Sequence, residues 1–245
     1  MKIVVFNGSP KAERGNTHVM VAEFLRGAEE AGADCENVFL AKKQIESCLG
    51  CYTCWTKTPG VCVHKDDMPE LLSKYVDADV LVFASPLYVD NVTGIMKMFM
   101  DRLIPLGLPE MEKDESGETR HPQRYPKSRK MVVISNCGFP DQSQFQVLRL
   151  YFRRVARNMH SEVVAELYRS AGGLLTIPDD RLRPFVESYK ALVRKAGAEV
   201  VKNGRLSSET AAELERPLIP TPNFADAFIE EANRMWARRR SPGTP

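Results

Sequence analysis

"MKIVVFNGSPKAERGNTHV", Met1 to Val19, carries a strand, a turn and a helix start in one short stretch. Ile3-Val4-Val5-Phe6 is an apolar run rich in β-formers. The turn residues Asn7-Gly8-Ser9-Pro10 end it, so it reads as a buried strand. From Thr17 to Ala31 the apolar residues Val19, Ala22, Leu25 and Ala28 recur at helical spacing, and Gly32 closes the run. The turn between the two suits an anion. Gly8 and Gly15 permit tight backbone, Ser9, Asn16 and Thr17 offer polar groups, and Lys11 and Arg14 offer charge. A helix N-terminus follows, where free N–H groups and the macrodipole favour a phosphate. No acidic residue precedes Glu23 in that helix. Neither G-x-x-x-x-G-K-[ST] nor G-x-G-x-x-G is present, so the turn is not a triphosphatase loop or a dinucleotide fingerprint. The competing reading is a polar turn with Thr17 as N-cap.

Working outward, strands and helices alternate. "CENVFL" reads as a second strand, Val80 to Ala84 as a third, Met131 to Ser135 as a fourth and "EVVAELYR" as a fifth. Helices are expected from Asp67, over "GIMKMFMDRLI", from about Gln144 to Met159, and from about Leu182 to Lys202. Asp67 and Glu70 have capping-box spacing, with Pro69 in the first turn. Asp66 and Asp67 are read as caps and not as acid–base groups. Five strands alternating with helices predict a parallel sheet covered on both faces, with ligands at the carboxyl ends of the strands. Residues 107–129 are polar, with three prolines and no period. They read as an exposed insertion, either a mobile surface loop or a lid or dimer arm. We expect one domain over residues 1–205 and an extension over 206–245. The extension's "FADAFIEEANRMWARRR" is an amphipathic helix. Its Phe224, Phe228, Ala232, Met235 and Trp236 are expected against the domain or a second subunit.

Composition narrows the function classes. The 245-residue chain is 43% hydrophobic and 27% charged, with a net charge of +2. No strong field points to nucleic acid. No apolar run is long enough to span a membrane, and the apolar start is too short for a signal-peptide core. A cytoplasmic location is therefore expected, with its six cysteines reduced. His18, His64, His121 and His160 are scattered and are expected to be solvated, with no catalytic role.

Two further loops belong to the same sheet edge. "ASPLYVDNVTGIMKMFMDR" offers Pro86, Leu87 and Tyr88 as a stiff, partly aromatic wall, with Asn91 and Thr93 as polar edges. "SNCGFPDQ" offers Asn136, Cys137 and Gly138, where the backbone can approach closely. One phosphate loop and two ring-flanking loops describe a mononucleotide cofactor. With "MKIVVFNGSPKAERGNT" and "CLGCYTCWTKTPGVCVHKDDM", these segments resemble the flavodoxin-like NAD(P)H-dependent FMN oxidoreductases, iron–sulfur flavoprotein branch, over about residues 1–170. The resemblance implies a flavodoxin-like three-layer α/β sandwich with sheet order 2-1-3-4-5, FMN at its edge, and a homodimer or homotetramer. Ser9, Lys11, Asn16 and Thr17 would hold the phosphate. Pro86, Leu87, Tyr88, Thr93, Asn136, Cys137 and Gly138 would line the ribityl chain and ring. Electrons would pass from NAD(P)H through FMN to a small or protein acceptor, with no catalytic side chain required. The alternative is an electron carrier or redox sensor with little NAD(P)H turnover.

Cys48, Cys51, Cys54 and Cys62 follow the pattern Cys-x₂-Cys-x₂-Cys-x₇-Cys. Four readings stay open: a 4Fe–4S cluster, a zinc site, a thiol redox pair such as Cys51 and Cys54, or packing without metal. Trp55 and Tyr52 suit shielding or an interface. Cys35, in a strand, is read as a small buried hydrophobe.

Overall fold

The computed structural model describes residues 1–240. Five parallel strands form the central sheet: β1 (Lys2–Asn7), β2 (Asp34–Phe39), β3 (Val80–Pro86), β6 (Arg129–Asn136) and β7 (Ser161–Arg169). Their order is β2-β1-β3-β6-β7. This is the expected 2-1-3-4-5 arrangement, because β4 (Glu112–Lys113) and β5 (Thr119–Arg120) form a separate small hairpin. The 107–129 segment is thus partly ordered, where the sequence showed only an irregular insertion.

Period-two burial divides the strands between two cores. Ile3, Val5, Val80, Val82 and Ala84 face one side, and Val4, Phe6, Leu81 and Phe83 the other. The first core is covered by α1 (Asn16–Glu30) and α6 (Arg183–Asn203). The second is covered by α3 (Met68–Asp77), α4 (Gly94–Asp101) and α5 (Gln146–Asn158). The central strands β1, β3 and β6, buried on both faces, read as apolar runs, which is why they were legible.

The tail extends the first core. Helix α7 (Ser208–Leu214) was not foreseen. Ser207 caps it by accepting the Thr210 N–H, and Leu214 and Leu218 are buried in the core. In α8 (Phe224–Arg240), Phe224 and Phe228 pack on that core, while Ile229, Met235 and Trp236 are exposed. The helix after β3 stops at Asp101, and a 3₁₀ turn, Ile104–Leu106, follows. The Asp67–Glu70 capping box does not form. Asp67 accepts the Gln44 N–H at 2.8 Å and makes no cap bond, while Glu70 pairs with Lys43 and Lys74.

Helices α1 and α6 cross at a glycine pair. A Cβ on Gly27 would lie 1.8 Å from the Arg194 carbonyl oxygen, and one on Gly197 would lie 2.0 Å from that of Phe24. Backbone meets backbone, so no side chain can move aside. Gly27→Ala and Gly197→Ala should each destabilise the protein by at least about 1–3 kcal/mol despite alanine's better helix propensity. Urea unfolding checks this; midpoints at or above wild type would refute it.

Candidate functional site

The loops after β1, β3, β6 and β7 gather at the carboxyl edge of the sheet. Asn7 ends β1 fully buried, and its Oδ1 accepts the Ser9 N–H at 3.1 Å. Its Nδ2 is buried without a partner. Gly8 and Gly15 are required by space: a Cβ would sit 2.7 Å from Met96 Cβ or 2.5 Å from Ser9 Oγ. Helix α1 begins at Asn16 with Gly15 as N-cap, no side-chain cap and no acid in the first turn. Lys11 and Arg14 are exposed and make no ion pair among the described residues. Thr17 is not the cap that one reading expected. It is buried, and its Oγ1 accepts from Asn136 Nδ2 at 2.7 Å.

The β3 loop is stitched to the β1 loop. Thr93 Oγ1 donates to the Gly8 carbonyl at 2.7 Å and, as N-cap of α4, accepts the Met96 N–H. Its hydroxyl is thus committed to the framework. Leu87 N–H donates to the Asn136 carbonyl at 2.8 Å. Tyr88 and Asn91 close a two-residue turn whose Val89 and Asp90 have φ of 48° and 58°. Val89 is 97% exposed and β-branched in a left-handed conformation, so strain sits at this tip. Tyr88 is 48% exposed, its ring open to solvent. Asn136 and Cys137 are buried and Gly138 is exposed. Burial pushes the Cys137 thiol up, which keeps it protonated and unreactive.

The β7 loop was missed. Its Gly172 packs against Asn136, where a Cβ would come within 2.8 Å, and Thr176 Oγ1 donates to Asn16 Oδ1 at 2.8 Å. The only sequence signal was Ala171-Gly172-Gly173, with Ala171 at φ 50°.

The four-cysteine segment lies between β2 and α3 and holds a short helix, α2 (Thr53–Thr56). Cys48 and Cys51 are exposed, Cys62 is half-buried and Cys54 is buried. All four line one small cavity with His64 and Ile104. Among the described residues, no three His, Cys, Asp or Glu side chains are grouped to hold a single metal ion. Burial raises the Cys54 pKa, with a further push from Cys62, Cys48 and Cys51. A hydrogen bond from Thr53 lowers that of Cys51. Trp55 Nε1 donates to the Ile104 carbonyl at 2.9 Å and holds the segment against the 3₁₀ turn that follows α4.

A buried ion pair closes the segment's base. Arg102 and Asp66 side chains are 1% and 2% exposed and 2.6 Å apart. Arg102 Nη1 also donates to the Glu46 carbonyl at 2.6 Å. Asp66 accepts the Glu46 and Met68 N–H groups at 2.9 and 3.1 Å. The histidines are not solvated as expected, since all four are half-buried. His18 meets Asn37 and Phe39, His64 lines the cysteine cavity, and His160 meets the His121 carbonyl.

The strand order and its two helical layers define a flavodoxin-like α/β fold. Residues 1–119, just under half of the chain, match the family model described as NADPH-dependent FMN reductase. An iron–sulfur flavoprotein of Archaeoglobus fulgidus is 42% identical over 142 residues, 58% of each chain. One from Methanosarcina thermophila is 31% identical over 106 residues, 43% of this chain and 54% of that one. The chain therefore spans little more than half the length of these relatives. Among solved structures, an NAD(P)H:quinone oxidoreductase from Methanothermobacter marburgensis aligns with TM-score 0.58 at 17% identity, covering 82% of this chain and 96% of that one. An FMN-dependent NADH-azoreductase from Bacillus anthracis aligns with TM-score 0.61 at 16% identity, covering 82% and 99%. At such identities these structures support the fold alone.

The clasp makes the cysteine segment acid-sensitive. Burial works to raise the Asp66 pKa, but Arg102 and the Glu46 and Met68 N–H groups hold it below its ordinary value. A depressed carboxyl stabilises above its unfolded pKa of about 3.9, and that contribution is lost as pH falls through the lower folded value. Protection against hydrogen exchange over 44–67, relative to the intrinsic rate at each pH, should hold from neutral pH to about pH 4 and fall below it. Arg102→Met should cost about 3–5 kcal/mol by leaving Asp66 buried and alone. Unchanged stability in that variant would contradict the clasp.

Proposed function

We propose that this protein is an FMN-dependent oxidoreductase that passes hydride or electrons from NAD(P)H to a small or protein acceptor. The observation that carries the reading is the convergence of the phosphate-type loop and the two ring-flanking loops at one sheet edge. The residues fit FMN: an uncapped helix start without acids, two free cations, an unpartnered Asn7 amide and glycines where a Cβ has no room. Ser9, Lys11, Asn16 and Thr17 would hold the phosphate, Lys11 by charge and Thr17 by fixing Asn136. Pro86, Leu87, Tyr88, Thr93, Asn136, Cys137 and Gly138 would line the ribityl chain and ring, with Tyr88 as a stacking face. Bound FMN would supply hydride and single-electron chemistry, so the side chains need only bind, orient and exclude water.

The Tyr88 edge is open, and a second copy would cover it, so a homodimer or homotetramer is part of the reading. So are a small-molecule or electron-transfer-protein acceptor, a cytoplasmic setting, and the division into an FMN-binding domain (1–205) and an extension (206–245). Burial of Leu214 and Leu218 supports packing of the extension on its own domain. Among the described residues no helix is long and apolar enough to cross a membrane.

The purified protein should be yellow and release FMN on denaturation. Lys11→Ala should weaken FMN binding by about 1–3 kcal/mol while leaving riboflavin, which lacks the phosphate, nearly unaffected. Equal losses for both ligands, or a protein that binds neither, would defeat the assignment.

The four cysteines favour a second reading, an electron carrier holding FMN and a 4Fe–4S cluster. Four soft ligands line one cavity on a clasped segment. Cys48, Cys51, Cys54 and Cys62 would hold the cluster. Protein prepared without oxygen should contain about four irons and four sulfides per chain, lost in Cys51→Ser. No iron after anaerobic reconstitution would leave the cysteines as packing or thiol chemistry. Steady-state NAD(P)H oxidation with an artificial acceptor separates enzyme from carrier.

A further inference from the structure

One apolar cavity lies away from the candidate flavin edge. It encloses about 400 Å³ between the 107–129 segment and helices α3, α4 and α5. Tyr75 and Val76 precede β3, Arg129 opens β6, and Met159 and His160 precede β7. The cavity is therefore at the amino ends of the strands, while the flavin loops follow their carboxyl ends. Its walls are aromatic and thioether: Trp55, Tyr75, Met100, Met111, Tyr125 and Met159. Such a surface suits flat, polarisable rings, and the volume suits a molecule of two or three rings.

One charged group makes the cavity selective. Arg129 is 4% exposed and has no carboxylate partner among the described residues. Its guanidinium donates to the carbonyls of Val76 and Lys127 at 2.9 and 3.2 Å and to Gln123 at 3.4 Å, yet its Nε has no partner. It also stacks over the Tyr75 ring at 5.6 Å. A buried guanidinium without a counter-ion is costly, and an anion in the adjoining cavity would relieve it. Arg120, the other arginine on the wall, is already paired with Glu112. Arg120, Gln123 and His160 also line a wider polar groove, which provides an entry path.

We propose that this cavity binds a planar aromatic carboxylate of two or three rings, its rings against Trp55, Tyr75 and the methionines and its carboxylate on Arg129. The site is independent of the flavin reading and would stand if that reading failed. Ile104 lines both this cavity and the cysteine cavity, so the ligand would lie across the Trp55–Ile104 wall from the thiols.

The test uses full-length protein as purified, with 2-naphthoate as the anionic probe and 2-naphthamide as its neutral counterpart. With Trp236→Phe as background, Trp55 is the remaining tryptophan. Naphthoate should bind once per chain by calorimetry, change Trp55 emission and leave bound flavin in place. Naphthamide should bind about ten- to a hundredfold more weakly, as expected for losing a charge-assisted hydrogen bond. Arg129→Gln should lower naphthoate affinity by a similar factor and equalise the two probes, with Arg129→Lys intermediate. Should Arg129 variants fail to fold, Met100→Trp, which fills the cavity from α4, should abolish naphthoate binding and retain the wild-type melting behaviour. The proposal is overturned by no binding at millimolar probe, equal affinity for acid and amide in wild type, naphthoate binding unaffected by Met100→Trp, or displacement of flavin by naphthoate.

Discussion

The Asp66–Arg102 pair is the contact on which the least regular part of the molecule depends. Between β2 and α3 the chain has one four-residue helix and little other repeating structure. Ordering such a segment costs about 1–2 kcal/mol per residue in backbone entropy, and its apolar burial is small. The pair offsets this at the narrowest point. Asp66 accepts from both Arg102 nitrogens and from the Glu46 and Met68 N–H groups, so all its lone pairs are used. Arg102 reaches from the end of α4 and also meets the Glu46 carbonyl. One interaction thus fixes both ends of the segment to each other and to the sheet's second helical layer. Buried ion pairs seldom add net stability over an apolar replacement. What this one supplies is position.

The carboxyl edge follows from topology. The chain leaves β1 toward β2 on one side and returns to β3 on the other, so the loops after β1 and β3 diverge at a switch point. A cleft there is a consequence of strand order. What the sequence adds is a set of short polar links across it: Thr93 to Gly8, Leu87 to Asn136, Asn136 to Thr17 and Thr176 to Asn16. These links explain why several site residues are buried. Thr17, Thr93 and Asn136 are buried and committed to these links, whereas Lys11, Tyr88 and Gly138 stay exposed.

The sheet was legible because strands covered on both faces must be apolar throughout, and the order of motifs placed three of the four edge loops. The misses have a common cause. Asp67 and Glu70 had capping-box spacing, but tertiary partners, the Gln44 N–H and Lys43, took both carboxylates. Thr17 looked like a cap, but Asn136, over a hundred residues away, claimed its hydroxyl. The β7 loop acts through backbone and the absence of side chains, and Ala-Gly-Gly announces no chemistry. Arg102 and Arg129 were invisible for the opposite reason. An arginine in sequence reads as surface, and only the fold shows that these two are among the most buried polar groups.

Arg102 and Arg129 also show how one layer of helices is used twice. Both lie on the face covered by α3, α4 and α5, and each lines a space that the apolar core leaves unfilled. Arg102 has its carboxylate supplied in sequence by Asp66, so the cysteine segment it anchors is closed by the chain itself. Arg129 has carbonyls, one amide and a face of Tyr75, but no carboxylate. The 3₁₀ turn Ile104–Leu106 separates the two regions, pinned by the Trp55 indole on one side and by the Arg124 guanidinium, which donates to Pro105, on the other. The thiol cavity and the ring-lined cavity therefore share one wall, held in place by hydrogen bonds from both sides.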